Sequence, residues 1–273
     1  KKILGISLLT YILFLIFAGL VAGGIIYYRK KLELERLKKR KFQVDVDFNT
    51  LPKPGLRSSF IGKIAETNVQ AYINLDMLKL HTIVAGSTGS GKTVTAQILC
   101  EGALMRGIDI VVFDPSAQWT GFLRKCEEHS MLQFYPEFNM PLHSSRKFLG
   151  RVKIIDDPKE MVNLKDVLKR TDSKKGKEGN ITIVCLNKLE PKDIDLFVAN
   201  TIREIFEINP QESEKLKLLL VYDEVHRLLE KFGGKGAGFV QIERGLREFR
   251  KWGIGMVLIS QVLSDFVGEI KAN

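Results

Sequence analysis

One octapeptide constrains the fold of this chain more than any other feature. It follows the apolar segment 81–85, reads GSTGSGKT, and fills every required position of the GxxxxGK[ST] phosphate-binding loop. In such a loop the backbone N–H groups and the dipole of the following helix both point at phosphate oxygens. The residues that we expect to bind the nucleotide are Gly86, Ser87, Thr88, Gly89, Ser90, Gly91, Lys92 and Thr93.

Two side chains of this loop have expected roles of their own. The Lys92 ammonium reaches the β- and γ-phosphate oxygens, and the Thr93 hydroxyl binds a Mg²⁺ ion. An ordinary glycine-rich turn is the simpler interpretation, but the complete motif between a strand and a helix favours a nucleotide site. The expected cofactors are therefore ATP and Mg²⁺, and the expected activity is ATP hydrolysis with Lys92 as a catalytic residue.

Apolar strands alternate with helical segments after the loop. The hydrophobic patterns predict helices over 94–105, 193–208, 225–232 and 239–251, and strands over 108–113, 181–186, 216–222 and 254–260. Because these strands are almost entirely apolar, we expect an α/β fold in which helices cover both faces of a mainly parallel sheet. Residues 61–80 predict one or two short strands, and residues 115–180 show a less regular pattern.

Polar side chains follow two of the predicted strands. Asp223 and Glu224 end one strand, and Gln261 ends another. Because the carboxyl ends of parallel strands meet at one edge, these groups should lie beside the phosphate loop. We expect Asp223 to hold the Mg²⁺ shell, Glu224 to act as general base on the attacking water, and Gln261 to sense the γ-phosphate or orient that water. The alternatives are an acidic pair that only caps the next helix and a glutamine that only belongs to a turn.

The first residues predict a membrane anchor. Residues 3–28 carry no charged side chain, and as a helix they span about 39 Å, whereas a hydrocarbon core measures about 30 Å. A secretory signal peptide usually has a shorter apolar region. Residues 29–41 carry eight Lys or Arg and two Glu, which favours a cytoplasmic location for residues 29 onward. We expect a single-pass cell-membrane protein with an anchor over 1–28, a basic juxtamembrane helix and linker over 29–60, and an ATPase domain over 61–273.

Most of the net charge of +10 belongs to that membrane flank. Residues 42–273 carry only +2, so composition alone does not indicate a strongly basic surface for nucleic acid. Two lysines, Lys231 and Lys235, lie in a glycine-rich stretch and are candidates for contact with a phosphate backbone. A disordered connection without a binding role is the equal alternative for this stretch.

Four segments together resemble one known family. They are GSTGSGKT at 86–93, VVFDPSAQW at 111–119, LLLVYDEVHRLL at 218–229, and REFRKWGIGMVLISQ at 247–261. The combination resembles the HerA/FtsK superfamily of hexameric DNA-pumping ATPases, which also contains conjugation and type IV secretion motors. The resemblance covers about residues 60–273 and implies a RecA-like P-loop core, a homohexameric ring, and DNA as the partner that is moved.

The resemblance also implies an arginine that completes the site of a neighbouring subunit. The family pattern Arg-Lys-aromatic-Gly-hydrophobic-Gly falls on residues 250–255, so Arg250 is the candidate finger and Arg247 the second choice. A solvated helix residue is the simpler interpretation of either arginine. The chain departs from HerA itself because only about forty residues separate the basic flank from the loop strand, where HerA carries a β-barrel. It also lacks the obvious large helical insertion of conjugative coupling proteins.

An ATP-driven motor for protein secretion or pilus assembly is the main alternative. Such a motor uses the same ring, ATP and a membrane, but a polypeptide passes through it, and secretion or conjugation proteins would be its partners. A GTPase is disfavoured because the segment NKLE at 187–190 precedes Asp223 and ends in Glu where the guanine-reading motif has Asp. A small-molecule kinase is disfavoured because Glu224 beside Asp223, together with Gln261, indicates activation of water.

Overall fold

The computed structural model describes residues 2–3, 6–38, 47–138, 141, 144–173, 178–228 and 236–261. The described residues fall within two compact units. The first unit comprises Lys1–Thr50 and Lys63–Val69, and the second comprises Leu51–Gly62 and Gln70–Asn273.

One long helix dominates the first unit. Two short strands, β1 (Lys2–Ile3) and β2 (Ile6–Ser7), pair antiparallel before helix α1 (Leu8–Lys38). Among the described residues, Ile12–Glu35 is the one helical stretch that is long and apolar enough to cross a membrane, with a mean hydropathy of 1.9 and no buried residue. The helix begins at Leu8, later than the predicted span, and it continues through Lys38, so the apolar stretch and part of the basic flank form one element.

Short elements lead into the second unit's main sheet. Strands β3 (Ser58–Lys63) and β4 (Gln70–Asn74) form a two-stranded sheet. A 3₁₀ helix, Leu75–Leu80, follows directly, and the Asn74 side chain accepts a hydrogen bond from the backbone N–H of Asp76 in its first turn. The prediction of one or two short strands in this region is therefore confirmed.

The second unit contains a six-stranded parallel sheet. Its strands are β5 (Thr82–Ala85), β6 (Asp109–Asp114), β7 (Leu149–Ile154), β8 (Asn180–Cys185), β9 (Leu218–Tyr222) and β10 (Ile254–Ser260). Across the sheet the order is β5-β10-β9-β6-β8-β7, and each neighbouring pair is parallel. The predicted α/β fold with a mainly parallel sheet is confirmed.

Helices cover both faces of this sheet. They are α2 (Lys92–Leu104), α4 (Leu164–Ser173), α5 (Pro191–Ile208), α6 (Val225–Leu228) and α7 (Ala237–Glu248), whereas the short helix α3 (His129–Leu132) has no buried residue. Side chains of β6 alternate between two buried clusters. Val111 and Phe113 belong to a cluster with residues of α4, α5 and α7, whereas Ile110 and Val112 belong to a cluster with residues of α2. Both clusters are apolar, which explains why the central strands are apolar at most positions.

Strand β7 and helix α4 lie in the region of less regular sequence and were not predicted. Strand β7 is the edge strand next to β8, and five of its six residues are exposed. Helix α4 is mostly polar, with Leu164, Val167 and Leu168 as its buried apolar residues. An edge strand and a half-covered helix bury few side chains, so their sequences lack the continuous apolar signal of the central strands.

His81 directly precedes β5, and its ring contacts strand β10 and helix α7. The Met256 N–H donates to Nδ1 at 3.0 Å, and Nε2 lies 2.7 Å from the carbonyl oxygen of Leu246. These partners fit a neutral ring that carries its proton on Nε2. Burial lowers the pKa of His81 to about 4, the Leu246 carbonyl opposes this effect, and the positive charge of Arg250 lowers the pKa further.

We expect the pH dependence of stability to include a contribution from this ring. Between pH 6.5 and about 4 the unfolded chain binds a proton at His81 and the folded chain does not, so stability is lost as the pH falls through this window. The expected loss is roughly 3 kcal/mol in the free energy of unfolding. Urea denaturation at pH 7 and pH 4.5 should show a smaller acid-induced loss for His81→Gln than for the parent or for the exposed control His129→Gln. Equal losses in all three proteins would contradict the assignment.

Candidate active site

Three neighbouring strands bring the predicted site residues to one edge of the sheet. Strand β10 lies between β5 and β9, with Ser260 opposite Ala85 and Leu258 opposite Tyr222. The phosphate loop follows β5, the acidic pair follows β9, and Gln261 follows β10. Because all three strands run in the same direction, the groups that follow them lie at the same carboxyl edge.

The loop has the backbone shape that its glycines allow. Gly89 and Gly91 have φ values of +79° and +86°, in the left-handed region where other residues are strained. A Cβ at Gly86 would lie 2.3 Å from Ser90 Oγ, so this position admits only glycine without a shift. The Gly86 N–H donates to the Ser260 carbonyl oxygen at 3.2 Å, which attaches the loop to the end of β10.

Helix α2 begins at the last residues of the motif. Its first residue is Lys92, its second is the partly buried Thr93, and the left-handed Gly91 precedes both. Ser90 donates its N–H to the Ser87 carbonyl oxygen at 3.1 Å, which tightens the curl of the loop, and Thr88 is exposed within it. The amino end of a 13-residue helix thus adjoins the loop, and its free N–H groups favour an anion there.

The Glu224 carboxylate contacts three other side chains of the site. Its Oε1 lies 3.3 Å from Lys92 Nζ, and its Oε2 accepts a hydrogen bond from Gln261 Nε2 at 3.3 Å. His226 Nε2 lies 3.2 Å from the same Oε2. The phosphate loop, the end of β9 and the end of β10 therefore meet on one carboxylate.

The backbone of Glu224 is unusual. Its φ is +47°, which is left-handed and uncommon for a residue with a long side chain. The Glu224 N–H donates to Asp223 Oδ1 at 2.9 Å, so the conformation is held by a local hydrogen bond. Backbone strain of this kind costs about 1–3 kcal/mol and is concentrated at functional sites. Here it directs consecutive acidic side chains to different partners.

Asp223 is buried and hydrogen-bonded at both oxygens. Oδ1 accepts the Glu224 N–H, and Oδ2 accepts the indole N–H of Trp119 at 2.8 Å. Burial raises the pKa of Asp223, the two N–H donors lower it in part, and the negative charges of Glu224 and Asp114 raise it further. Each carboxylate oxygen keeps a second lone pair, so the group can still accept from metal-bound water.

The donor set suits magnesium better than a metal held by protein side chains alone. In the part of the chain that the structure describes, there is no cluster of three or more His, Cys, Asp or Glu side chains that could hold a metal. Mg²⁺ typically takes one or two protein oxygens, with phosphates and water completing its octahedron. The Thr93 hydroxyl and the Asp223 carboxylate are hard oxygen donors of this type.

Two predicted residues lie elsewhere. Arg250 is exposed in the 3₁₀ helix Phe249–Trp252, which precedes β10, whereas Gln261 follows β10. The seven residues of β10 span about 23 Å, so Arg250 is at the opposite edge of the sheet from its own chain's site. Arg247 is exposed on α7 and forms an ion pair with Glu243. The lysines at 231 and 235 lie outside the described residues.

Three residues of the site were not predicted as such. Trp119 and Asp114 belong to a segment whose sequence indicated only the family resemblance, and His226 follows the acidic pair by two positions. A polar aromatic such as Trp119 gives no periodic signal that distinguishes a hydrogen-bond donor from a core residue. Residues two positions apart do not face each other on a helix, so the sequence did not indicate the contact of His226 with Glu224; it depends on the left-handed backbone at Glu224.

Comparison with known proteins identifies the relatives of this chain. Residues 59–165 match the family described as "Helicase HerA, central domain". The chain is 24% identical to a DNA double-strand break repair helicase HerA of Sulfolobus acidocaldarius, over 74% of this chain and 54% of that protein. It is 31% identical to the type 4 coupling protein DotL of Legionella pneumophila, over 35% of this chain and 13% of that protein. The chain thus spans about half the length of the HerA relative.

Two solved structures are also similar to this chain. One is the pCW3 conjugation coupling protein TcpA with ATPγS, at 16% identity and a TM-score of 0.43, covering 87% of this chain and 57% of that chain. The other is VirB4 of Thermoanaerobacter pseudethanolicus, at 12% identity and a TM-score of 0.44, covering 78% of this chain and 80% of that chain.

The fold and the site define a class of protein. A parallel α/β sheet with a phosphate loop and an acidic pair at its carboxyl edge is that of a P-loop ATPase. The HerA central-domain match lies on the segment that contains the loop, α2, β6 and β7. Within the class, residues 59–165 are similar to the HerA central domain, and the four sequence segments resemble the HerA/FtsK superfamily.

Proposed function

We propose that this chain hydrolyses ATP with Mg²⁺ and uses the energy to move DNA through a ring of identical subunits. The observation that carries the proposal is the contact of Lys92 and Gln261 with the single carboxylate of Glu224. A lysine of the phosphate loop, an acid and an amide at adjacent strand ends are the parts that an ATPase needs for its phosphates and its attacking water.

The contacts suggest how the site responds to nucleotide. Lys92 is paired with Glu224 at 3.3 Å, and the phosphates of ATP compete for the same ammonium. When Lys92 binds phosphate oxygens, the Glu224 carboxylate is released to accept a proton from the attacking water. Gln261 orients the water or senses the γ-phosphate through its amide. Thr93 and Asp223 would hold a Mg²⁺ ion, which would supply positive charge beside the phosphate oxygens.

The position of Arg250 supports a ring. An arginine that stabilises the transition state must approach the γ-phosphate, and Arg250 lies at the other edge of its own sheet. In a ring with repeated head-to-tail contacts, the edge that carries Arg250 in one subunit faces the site of the next. We therefore propose a homohexamer in which each site contains residues of two subunits.

The same proposal includes the arrangement at the membrane. Residues 1–28 anchor the chain in the cell membrane, residues 29–60 form a basic helix and linker, and residues 61–273 form the ATPase domain in the cytoplasm. The length and hydropathy of Ile12–Glu35 and the basic residues that follow support this arrangement. The similarity to a protein named as a DNA repair helicase supports DNA as the polymer.

DNA should stimulate ATP hydrolysis through lysines repeated around the ring. The residues after the membrane flank carry little net charge, so binding must come from local groups such as Lys231 and Lys235. Replacing both with Ala should reduce stimulation by double-stranded DNA several-fold and leave hydrolysis without DNA nearly unchanged. Stimulation of the parent should also weaken steeply as the salt concentration rises. The assay measures phosphate release by assembled rings at low and moderate salt.

A matched control removes the same charge elsewhere. Lys165 and Lys169 are exposed on α4, and replacing both with Ala should leave the response to DNA intact. If no DNA stimulates the parent rings while an unfolded polypeptide does, the protein-secretion or pilus-assembly alternative replaces the DNA motor. The type 4 coupling protein among the relatives makes secretion proteins the natural partners in that case.

A further inference from the structure

Trp119 has the environment of a residue that fixes a neighbouring carboxylate. Its side chain is fully buried, and its ring stacks on Phe122 with centroids 5.7 Å apart and an angle of 16° between planes. The indole N–H donates to Asp223 Oδ2 at 2.8 Å. The indole N–H can donate but not accept, so Trp119 holds a carboxylate oxygen of Asp223 toward its ring.

The backbone of Trp119 is fixed independently of its side chain. Asp114, fully buried at the end of β6, accepts the Trp119 N–H on Oδ2 at 2.9 Å. Its Oδ1 accepts both the N–H and the hydroxyl of Ser116 at 3.0 Å. The Asp114 carboxylate therefore holds the turn between β6 and Trp119 through hydrogen bonds to Ser116 and Trp119.

The two carboxylates are also linked through the sheet. Strands β6 and β9 are neighbours, with Phe113 opposite Tyr222, and the Asp223 N–H donates to the Phe113 carbonyl oxygen at 3.1 Å. Asp114, Trp119 and Asp223 thus form a closed set of contacts around the ends of two adjacent strands. Such a set allows Asp223 little freedom to rotate while the indole donor is present.

We propose that Trp119 is a positioning residue for the carboxylate that binds the Mg²⁺ shell. This inference rests on the proposed function, which assigns Asp223 to the metal. Removal of the indole N–H frees Oδ2 to turn away and leaves a buried carboxylate with one donor fewer. Outer-shell hydrogen bonds of this type typically change metal affinity by about 10–100-fold.

The test exploits the fact that the chain has two tryptophans. In Trp252→Phe protein, Trp119 is the remaining tryptophan, and its emission is excited selectively over that of the tyrosines. Titration of Mg²⁺ in the presence of ATPγS should change its emission as the metal shell forms on Asp223. Adding Trp119→Phe should raise the Mg²⁺ concentration for half-maximal binding of a fluorescent ATPγS analogue by about 10–100-fold. Binding of that analogue in EDTA should change less than about twofold, because Lys92 and the loop remain.

A second replacement guards against a folding defect. Benzothienylalanine at position 119 retains the shape of the ring and lacks its N–H group, so it should reproduce the loss of Mg²⁺ affinity while the melting temperature stays near that of the parent. Unchanged Mg²⁺ dependence in this folded variant would overturn the inference. Failure of the parent protein to hydrolyse ATP would count against the proposed function instead, since the Mg²⁺ titration uses ATPγS binding and needs no turnover.

Discussion

Glu224→Gln should lower the rate of ATP hydrolysis at least about 100-fold and leave ATP binding intact. The amide keeps the shape of the side chain and its hydrogen bond to Gln261 through the carbonyl oxygen, but it cannot take a proton from water. It also removes the negative charge that pairs with Lys92 at 3.3 Å. Lys92 is then free for phosphate oxygens, so the dissociation constant for ATP should stay equal or fall.

Single-turnover hydrolysis and equilibrium binding of a fluorescent ATP analogue separate these two effects. The matched control is Glu212→Gln, because Glu212 is an exposed glutamate in the loop before β9. It should hydrolyse ATP at the parent rate. If Glu224→Gln also hydrolyses at the parent rate, Glu224 is not the general base, and the acid would be a capping residue at the start of α6.

Arg250→Ala should reduce hydrolysis by about 1,000-fold in assembled rings, because arginines that complete a neighbouring site contribute about 10³–10⁵ to the rate. The decisive measurement mixes inactive Arg250→Ala subunits with inactive Glu224→Gln subunits. At some interfaces the Arg250 of a Glu224→Gln subunit adjoins the site of an Arg250→Ala subunit, which keeps Glu224. Hydrolysis should recover in proportion to the fraction of such interfaces. Activity should therefore depend on the mixing ratio.

The control for this experiment is Arg203→Ala, which removes an exposed arginine from α5. It should leave activity unchanged. The variant Arg247→Ala separates the two candidate arginines, since its side chain is already engaged with Glu243. Mixed rings, shown to be mixed by mass spectrometry, that recover no activity would argue that Arg250 does not act between subunits.

The sequence anticipated the central elements well and the peripheral ones poorly. Strand β10 has the predicted bounds, Ile254–Ser260, because a strand buried on both faces is apolar at nearly every position. Strand β7 and helix α4 were not anticipated. Their side chains are mostly exposed, and the reason β7 is a strand at all is its parallel pairing with β8, a contact between distant parts of the chain.

The candidate site divides in a similar way. The sequence of the phosphate loop is enough to predict its chemistry. Its glycines allow the backbone to curl around phosphates, and its lysine places an ammonium group beside them. Glu224 and Gln261 were expected near that loop from their places after apolar strands. The insertion of β10 between β5 and β9, which joins all three on one carboxylate, depends on the order of strands and could not be read from their sequence.

What the sequence determined by itself was therefore local: the phosphate loop, the apolar strands, the acidic pair and the apolar helix before a basic flank. These signals come from residues that are close together in the chain and follow from backbone geometry and hydrophobic periodicity. Tertiary structure decided which strand ends meet, that Trp119 donates to Asp223, and that Arg250 lies across the sheet from its own site. The physical reason is that a hydrogen bond such as this one, between residues 104 positions apart, exists only after the sheet has formed.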